Sequence, residues 1–209
     1  PPPPPPPPPP PFFFQAEYVI REVERSRCLG DVYKRQDADF ITINISSPNT
    51  ENLRTFHEGD KLQDLLKSIM AERKNLKSNI PIAVKVSPDI SEDQVNKISE
   101  ILLEYKIKGI IVSNTSEATR DNLSNIQRHQ KGGLSGKPIE EKSNILINKF
   151  YKLLKGKIKI IGVGGVDSGQ AAYNKFIAGA DFVQLYTGCL LYTSDAADDS
   201  LRVDLGGRR

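Results

Sequence analysis

Five short runs of apolar, mostly β-branched residues, separated by four longer amphipathic segments, constrain the fold of this chain most strongly. The runs cover residues 40–45, 82–86, 109–112, 158–163 and 182–185. Such nearly continuous runs are typical of strands that are buried on both faces of a parallel sheet. Strand and helix alternating in this way predict right-handed βαβ units.

The segments between the runs carry the end signals of helices. Ser91 lies three residues before Gln94, which is the spacing of a capping box. Ser168 is suited to an N-cap, and Gly179 is suited to end the helix that follows. We predict helices over residues 60–76, from Ser91 onward, over about 140–154 and over about 168–178.

Small polar residues or glycines follow directly after every predicted strand. They are residues 44–49, Lys85, residues 113–115, residues 162–165 and residues 186–188. An open doubly wound sheet would concentrate functional residues at one switch point. In a barrel all the carboxyl ends of the strands meet at one mouth. The sequence therefore predicts an α/β fold that forms part of a (β/α)8 TIM barrel.

The last two clusters indicate an anion site. Glycines let the backbone approach a ligand closely, and backbone amides at a helix start bind anions. The loops after the last two strands of a barrel commonly hold a phosphate. Gly164, Gly165, Tyr186 and Thr187 fit such a site. Tight turns alone would also account for the glycines.

Lys85 ends an otherwise apolar strand. It is a solvated surface residue, a Schiff-base amine with a lowered pKa, or a fixed cation beside an electron-rich cofactor. Asn44, Asn49 and Asn114 lie next to the predicted sheet, where buried amides need hydrogen-bonding partners. A ligand with several carbonyl and N–H groups would supply them. Turn capping explains Asn49 but not Asn44, which lies inside an apolar run.

The two ends of the chain differ from the rest. Residues 1–11 are prolines and residues 12–14 are phenylalanines, as homopolymer runs of C and then T would translate. Residues 19–36 and 189–209 resemble translated adapter sequence. We expect residues 1–36 and 189–209 to be artefactual or disordered flanks and residues 37–188 to form the folded segment.

Several classes of function are disfavoured for residues 37–188. Cys28 and Cys189 lie in the flanks, so this segment has no disulfide, thiol nucleophile or cysteine metal site. Its 21 basic and 18 acidic residues are not gathered into an arm, which gives no reason to expect nucleic acid. No apolar run approaches the length of a membrane span, so we expect a soluble segment. His57 and His129 lack metal-ligand spacing, and we expect both to be exposed to solvent.

Four motifs carry a family resemblance. They are NISSPNT at residues 44–50, GGLSG at 132–136, IGVGGV at 161–166 and VQLYTG at 183–188. In this order and spacing they resemble the class 2, quinone-linked dihydroorotate dehydrogenases. The resemblance runs from about Asp37 to Gly188 and corresponds to the last five strands of the family's barrel, which are its C-terminal half.

The resemblance implies the oxidation of dihydroorotate to orotate in de novo pyrimidine (UMP) biosynthesis. FMN would take a hydride from C6 of the substrate while a base removes a proton from C5, and ubiquinone or a related quinone would reoxidise the flavin. Ser47 lies at the position of that base. The soluble class 1 enzymes carry cysteine there, so the serine favours class 2. The loop of residues 50–59 would close over the substrate.

The resemblance also implies roles for other residues. Lys85 would be the cation beside N1 and the C2 carbonyl of the flavin, which displaces the Schiff-base alternative. Asn44 would contact both flavin and substrate. The remaining substrate residues would be Asn49, Asn114 and Thr115, and the remaining FMN residues would be Ser113, Gly136, Gly164, Gly165, Tyr186 and Thr187.

Parts of the family's pattern have no counterpart in this chain. We find no match to its first three barrel strands or to the N-terminal helices that form the quinone tunnel and attach the enzyme to a membrane. That membrane is the bacterial plasma membrane or the mitochondrial inner membrane. Two sheet edges, residues 40–45 and 182–185, would then be exposed. We expect this fragment alone to be inactive and to bind FMN weakly.

Two alternatives belong to other classes. One is a phosphate-binding barrel lyase or aldolase that uses Lys85 as its Schiff base. The other is a non-enzymatic, truncated product whose proline-rich tail binds a partner.

Overall fold

The computed structural model describes residues 38–48, 50, 53–117, 120, 123, 128 and 132–188. Contacts divide the chain into two units, residues 1–39 and residues 40–209, and the strands and helices of the described residues all belong to the second. The predicted flanks lie outside the described residues, so their assignment stays a prediction.

Five parallel strands form one sheet. The strands are β1 (Ile41–Asn44), β2 (Ile82–Val86), β3 (Gly109–Val112), β4 (Lys159–Val163) and β5 (Phe182–Gln184), and they follow one another across the sheet in chain order. A doubly wound sheet reverses its strand order at a switch point, whereas a barrel adds each strand beside the previous one. The predicted barrel winding is confirmed, with β1 and β5 at the two ends of the sheet.

In the described residues, four helices lie between the strands. They are α1 (Gly59–Asn75), α2 (Glu92–Glu104), α3 (Glu140–Leu154) and α4 (Gly169–Ala178). Short 3-10 turns at Leu53–His57 and Lys137–Ile139 precede α1 and α3. All four predicted helices are confirmed, and each end that the sequence predicted lies within about one residue of the observed end.

The predicted helix ends form as the local chemistry requires. The Ser91 hydroxyl accepts a hydrogen bond from the Gln94 amide at 3.2 Å, and the Ser91 amide donates to Gln94 Oε1 at 2.9 Å, which completes the capping box. The Ser168 hydroxyl likewise accepts from the Ala171 amide at 3.2 Å. Gly179 ends α4 in the left-handed conformation at φ +112°, which favours glycine.

The strand register separates the sheet into two chemically different faces. Paired residues of parallel strands share a face, and successive residues alternate between faces. Ile43, Val84, Ile110 and Ile160 are in register on the face that packs against the helices, and all four belong to the hydrophobic core. Asn44, Lys85, Ile111 and Ile161 are in register on the opposite face, and none belongs to that core.

A buried cation lies between α3 and α4. Lys175 is 0% exposed, and its ammonium group donates to Asn144 Oδ1 at 2.7 Å. Burial lowers the pKa of Lys175 to about 8, against the opposing effect of the Glu140 carboxylate, while Lys137 lowers it further. The folded state therefore loses this proton at a lower pH than the unfolded chain does.

We predict that the stability of the folded unit rises between about pH 8 and pH 10.5, because in this window the unfolded state holds more protons at Lys175 than the folded state. Lys175→Met removes the buried charge, so it should raise the free energy of unfolding by about 1–3 kcal/mol at neutral pH. It should also flatten the rise above pH 8. Urea unfolding at several pH values measures both effects.

The exposed Lys152 on α3 provides the control. Lys152→Met should leave the pH dependence as it is. A rise above pH 8 that persists in Lys175→Met would contradict the assignment to Lys175.

Candidate active site

Three polar side chains meet where β1 and β3 end. Asn44 Oδ1 accepts hydrogen bonds from the Ser46 amide at 3.2 Å and the Ser46 hydroxyl at 2.7 Å. Asn114 Nδ2 donates to Ser46 Oγ at 3.0 Å and lies 3.4 Å from Asn44 Oδ1. The structure thus brings together Asn44 and Asn114, which are seventy residues apart in sequence. Ser46, which sequence reasoning missed as a member, joins them.

The loop after β3 extends this amide cluster. The Thr115 amide donates to Asn114 Oδ1 at 2.8 Å, which orients the Asn114 side chain. Ser116 and Leu134 then pair in an antiparallel bridge, with N–H to O distances of 2.9 and 2.7 Å. This bridge carries the GGLSG motif to the loop after β3.

Gly133 of that motif packs directly on the loop. A Cβ atom at Gly133 would overlap the side chain of Thr115 and would lie 3.2 Å from Cγ of Pro48. Only glycine, which has no Cβ, allows this backbone to approach the Thr115 side chain so closely. Gly133 was not among the predicted site residues, and its signal lay only in its motif.

Lys85 lies on the same face of the sheet as Asn44, its partner in the β1–β2 register. It is half-buried, and burial lowers the pKa of its ammonium group. Within the described ranges no carboxylate pairs with this ammonium. Lys85 is therefore a half-buried cation at the mouth of the sheet, which argues against the solvated surface alternative.

Ser113 lies between β3 and β4. It is buried, its amide donates to the Val163 carbonyl at 3.1 Å, and its hydroxyl donates to the Asn114 carbonyl at 3.2 Å. These bonds connect Ser113 to the end of β4 and to Asn114 of the amide cluster.

The predicted phosphate residues lie at the ends of β4 and β5. Gly164 and Gly165 adopt φ values of +107° and +75°, which favour glycine. A Cβ at Gly164 would lie 2.9 Å from Ile139, and one at Gly165 would overlap Glu140. The close packing against the start of α3 is thus a reason for both glycines that needs no ligand.

The hydroxyl groups of Thr187 and Ser135 meet beside Gly136. Thr187 Oγ1 donates to Ser135 Oγ at 3.1 Å, and a Cβ at Gly136 would lie 3.3 Å from Thr187 Cγ2. The structure therefore brings Gly136 and Thr187 together, with Ser135 as a member that was not predicted. Tyr186 is 55% exposed on the turn after β5.

Ser47, the predicted base, lies at the start of the loop after β1. Ser47 is half-buried and follows Ser46 directly after β1. Asn49 lies outside the described residues, and its role stays a prediction.

Arg54 and Asp89 connect the loops that surround the amide cluster, and sequence reasoning missed both. Arg54 donates to Glu117 Oε2 at 2.8 Å, to the Thr115 carbonyl at 3.2 Å and to Asp89 Oδ2 at 3.4 Å. Asp89 also accepts from the Ser116 hydroxyl at 2.6 Å and the Glu117 amide at 2.7 Å. These partners are distant in sequence, so no local sequence pattern predicts the contacts.

The electrostatics of Asp89 follow from those contacts. Burial raises the pKa of its carboxyl, but hydrogen bonds from Lys142 and Ser116 outweigh burial and hold the pKa below its usual range. An open cleft of about 450 Å³ lies beside Asp89. It is lined by the charged side chains of Arg54, Asp89, Glu117 and Lys142, together with Pro88 and Ile90.

The expectation for His57 was wrong. His57 was predicted to be exposed, but it is 2% exposed. Its Nδ1 lies 2.9 Å from the Arg54 carbonyl, and its Nε2 accepts a hydrogen bond from the Ser87 amide at 3.2 Å. The expectation rested on the absence of metal-ligand spacing around His57. That absence says nothing about hydrogen bonds from the ring to main-chain groups, which are the contacts that the buried ring makes. His129 lies outside the described residues.

Comparison with known proteins gives a consistent result. A family model described as "Dihydroorotate dehydrogenase" matches residues 23–201. The chain belongs to the dihydroorotate dehydrogenase family. Membership confirms the resemblance and the barrel fold, and it implies a flavin cofactor in general. The matched span reaches into both predicted flanks, so the domain boundaries stay predictions.

Two curated relatives in the dihydroorotate dehydrogenase family are named "Dihydroorotate dehydrogenase (quinone)". The chain is 42% identical to that of Pasteurella multocida over 85% of its own length and 51% of the relative. It is 44% identical to that of Acinetobacter baumannii strain SDF over 79% of its length and 50% of the relative. The chain therefore spans about half the length of the curated relatives it matches.

A solved structure of the family agrees. The crystal structure of the Eimeria tenella dihydroorotate dehydrogenase in complex with ferulenol superposes with a TM-score of 0.71 at 31% identity. The match covers 73% of this chain and 45% of that one. In the part of the chain that the structure describes, no helix is long and apolar enough to cross a membrane.

We predict that Gly133→Ala lowers the free energy of unfolding by about 1–3 kcal/mol, because the added methyl group must displace Thr115. Urea unfolding measures this loss. Gly169→Ala is the matched control: Gly169 begins α4 and a Cβ there meets no atom within 4 Å, so stability should stay the same or rise. Equal stability of Gly133→Ala and the parent chain would contradict the close contact.

Proposed function

We propose that this chain supplies the C-terminal half of the active site of an FMN-dependent, quinone-linked dihydroorotate dehydrogenase, which oxidises dihydroorotate to orotate in pyrimidine biosynthesis. One observation carries the proposal. Asn44, Asn114 and Lys85 converge on the face of the sheet that is not used by the hydrophobic core, at the carboxyl ends of the strands. The names of the curated relatives support the same reaction.

The amide cluster suits a pyrimidine substrate. Dihydroorotate presents ring carbonyl and N–H groups together with a carboxylate, and such groups pair with carboxamides. Asn44 and Asn114 satisfy one another through Ser46, so both amides are held in position before a ligand arrives. A bound ring would exchange these contacts for its own. Thr115 and Asn49 complete the proposed substrate set.

Two adjacent serines are divided between structure and proton transfer. Ser46 Oγ donates to Asn44 and accepts from Asn114, so its hydroxyl belongs to the amide cluster. By its position in the NISSPNT motif, we assign the removal of the C5 proton to Ser47. A serine hydroxyl has a high intrinsic pKa, so the site must lower the barrier through geometry and proton relay.

The residues present fit an FMN group. FMN would supply the hydride acceptor, a function that no side chain of the protein provides. Lys85 offers a half-buried cation for an electron-rich ring edge, and Asn44 lies in register beside it. The other proposed FMN residues surround the ends of β3, β4 and β5: Ser113, Gly136, Gly164, Gly165, Tyr186 and Thr187.

The acceptor and the location belong to the same proposal. The names of the curated relatives support ubiquinone or a related quinone as the electron acceptor. A quinone is a membrane lipid, so the enzyme would work at the bacterial plasma membrane or the mitochondrial inner membrane.

A chimera tests the proposed base. Residues 40–188 would replace the matching segment of the Pasteurella multocida relative, and dihydroorotate-dependent quinone reduction would be measured. We expect turnover in the chimera, and in Ser47→Ala a loss of about 10²–10⁴-fold, with the visible flavin band intact, since a general base contributes on this scale. Ser46→Ala is the companion variant, and its main effect should be on KM. Full turnover in Ser47→Ala would refute the assignment of the base.

The same chimera tests the flavin cation. We expect Lys85→Met to raise the dissociation constant for FMN roughly tenfold, because one favourable charge contact is lost. Lys108→Met is the control, since Lys108 is exposed at the opposite end of the sheet, before β3. Fluorescence titration with FMN measures both variants. If the two variants bind FMN equally, Lys85 is not in contact with the flavin.

A further inference from the structure

The segment that follows Ser47 is attached to its neighbours at two points. It continues from β1 through the 3-10 turn Leu53–His57 into α1. Arg54 attaches the turn to the loop after β3 and, through Asp89, to the loop after β2, whereas His57 binds the Ser87 amide in the loop after β2. The two attachments differ in chemistry, because a guanidinium keeps its charge at all ordinary pH values, whereas an imidazole titrates.

The two contacts of His57 require one tautomer. Nδ1 lies 2.9 Å from the Arg54 carbonyl, which can only accept a hydrogen bond. Nε2 lies 3.2 Å from the Ser87 amide, which can only donate. The ring must therefore carry its proton on Nδ1 and none on Nε2, so both contacts form only in the neutral imidazole.

Protonation breaks one of these contacts and keeps the other. A proton on Nε2 would face the Ser87 N–H, so the hydrogen bond between His57 and the loop after β2 would be lost, while Nδ1 would still donate to the Arg54 carbonyl. The new charge would also lie in a nearly closed space, since the residue is 2% exposed. Burial lowers the pKa of His57, the hydrogen bond to the Arg54 carbonyl opposes this, and the Arg54 cation lowers it further.

The charged groups around His57 do not compensate for a second cation. Arg54 lies on the same turn, and Glu58, which precedes α1, is paired with Lys61 at 2.9 Å. After β2, Asp89 is already paired with Arg54 and Lys142. From α2, the side chain of Lys97 lies beside Gly59. Glu58 and Asp89 thus have cations of their own.

We propose that His57 is a positioning residue. Its neutral imidazole fastens the turn Leu53–His57, which follows Ser47 along the chain, to the Ser87 amide in the loop after β2. Protonation releases that fastening. The value of this fastening for catalysis rests on the proposed function, because it concerns the segment next to the assigned base. The fastening itself does not depend on that function. Arg54 keeps the turn attached to the loop after β3 and to Asp89 in the loop after β2 in both states, so the release is confined to the contact with Ser87.

Glutamine provides a variant that separates titration from simple packing. Its carboxamide has one N–H donor and one carbonyl acceptor, so it can replace both contacts of the neutral imidazole and does not titrate. His57→Gln should therefore keep the segment fastened at all pH values, whereas His57→Phe should leave it unfastened at all of them.

The experiment uses the 209-residue chain, labelled with ¹⁵N. Long-range ¹H–¹⁵N spectra of its two histidines identify the tautomer, and His129→Gln assigns the signals and serves as the control. Hydrogen exchange, corrected for the intrinsic rate, is followed from about pH 8 to about pH 5. The amides compared are that of Ser87 and those of the turn, with the Ile110 amide of the core strand β3 as internal reference.

We expect the Nδ1–H tautomer at the upper pH. We expect protection of the Ser87 amide to fall about tenfold or more below the pKa of His57, with Ile110 unchanged. In His57→Gln the protection should stay constant, and in His129→Gln it should fall as in the parent chain. An Nε2–H tautomer, or protection in the parent chain that does not depend on pH, would overturn the proposal. So would a loss of protection that Ile110 shares, because that would be global unfolding.

The chimera separates this inference from the proposed function. If it turns over, His57→Gln should remove an acid-side fall in kcat and leave KM for quinone unchanged. If it is inert although it binds flavin, the proposed function fails while the exchange result still decides the role of His57.

Discussion

Parallel pairing in a single register is the constraint on which the rest of this structure depends. Asn44 pairs with Lys85, and Lys85 pairs with Ile111, so these side chains emerge from the same face of the sheet. A slip of one residue in β2 would carry Lys85 into the hydrophobic core and expose Val84. The helices fix the register of β1 to β4, because residues on one face of these four strands are buried in the same core. The polar face is thus a consequence of packing on the other side.

The close approaches between loops depend on glycine for reasons that are partly structural. Gly165 leaves no space for a side chain against Glu140, and Gly133 leaves none against Thr115. These contacts hold the loops after β3 and β4 at one mouth, where Thr187 and Ser135 also meet. Packing between loops therefore explains Gly133 and Gly165 without a ligand, and the proposed FMN site would use the positions that this packing provides.

The sequence predicted those features that local chemistry determines. Ser91 with Gln94 and Ser168 with Gly179 defined helix ends, because a cap needs only neighbours in sequence. The strand ends with their polar residues were also evident, and Asn44 stood out inside an apolar run. The roles of Ser46 and Asp89 were not evident, because they depend on partners that lie far along the chain. The burial of His57 was not evident for the same reason, since its hydrogen-bond partner, the amide of Ser87, lies thirty residues away.

The alternation of faces along each strand has a consequence for natural variation in this protein. At Ile43, Val84 and Ile110 a substitution is judged by volume, since each side chain fills space in the shared core. At Asn44 and Lys85, one residue further along, it is judged by charge and hydrogen bonding instead. Drift at the first set can be offset by repacking a neighbour, as cores commonly are. At the second set, repacking of apolar side chains cannot restore a lost hydrogen bond or charge, so we expect substitutions at neighbouring positions to meet different physical constraints.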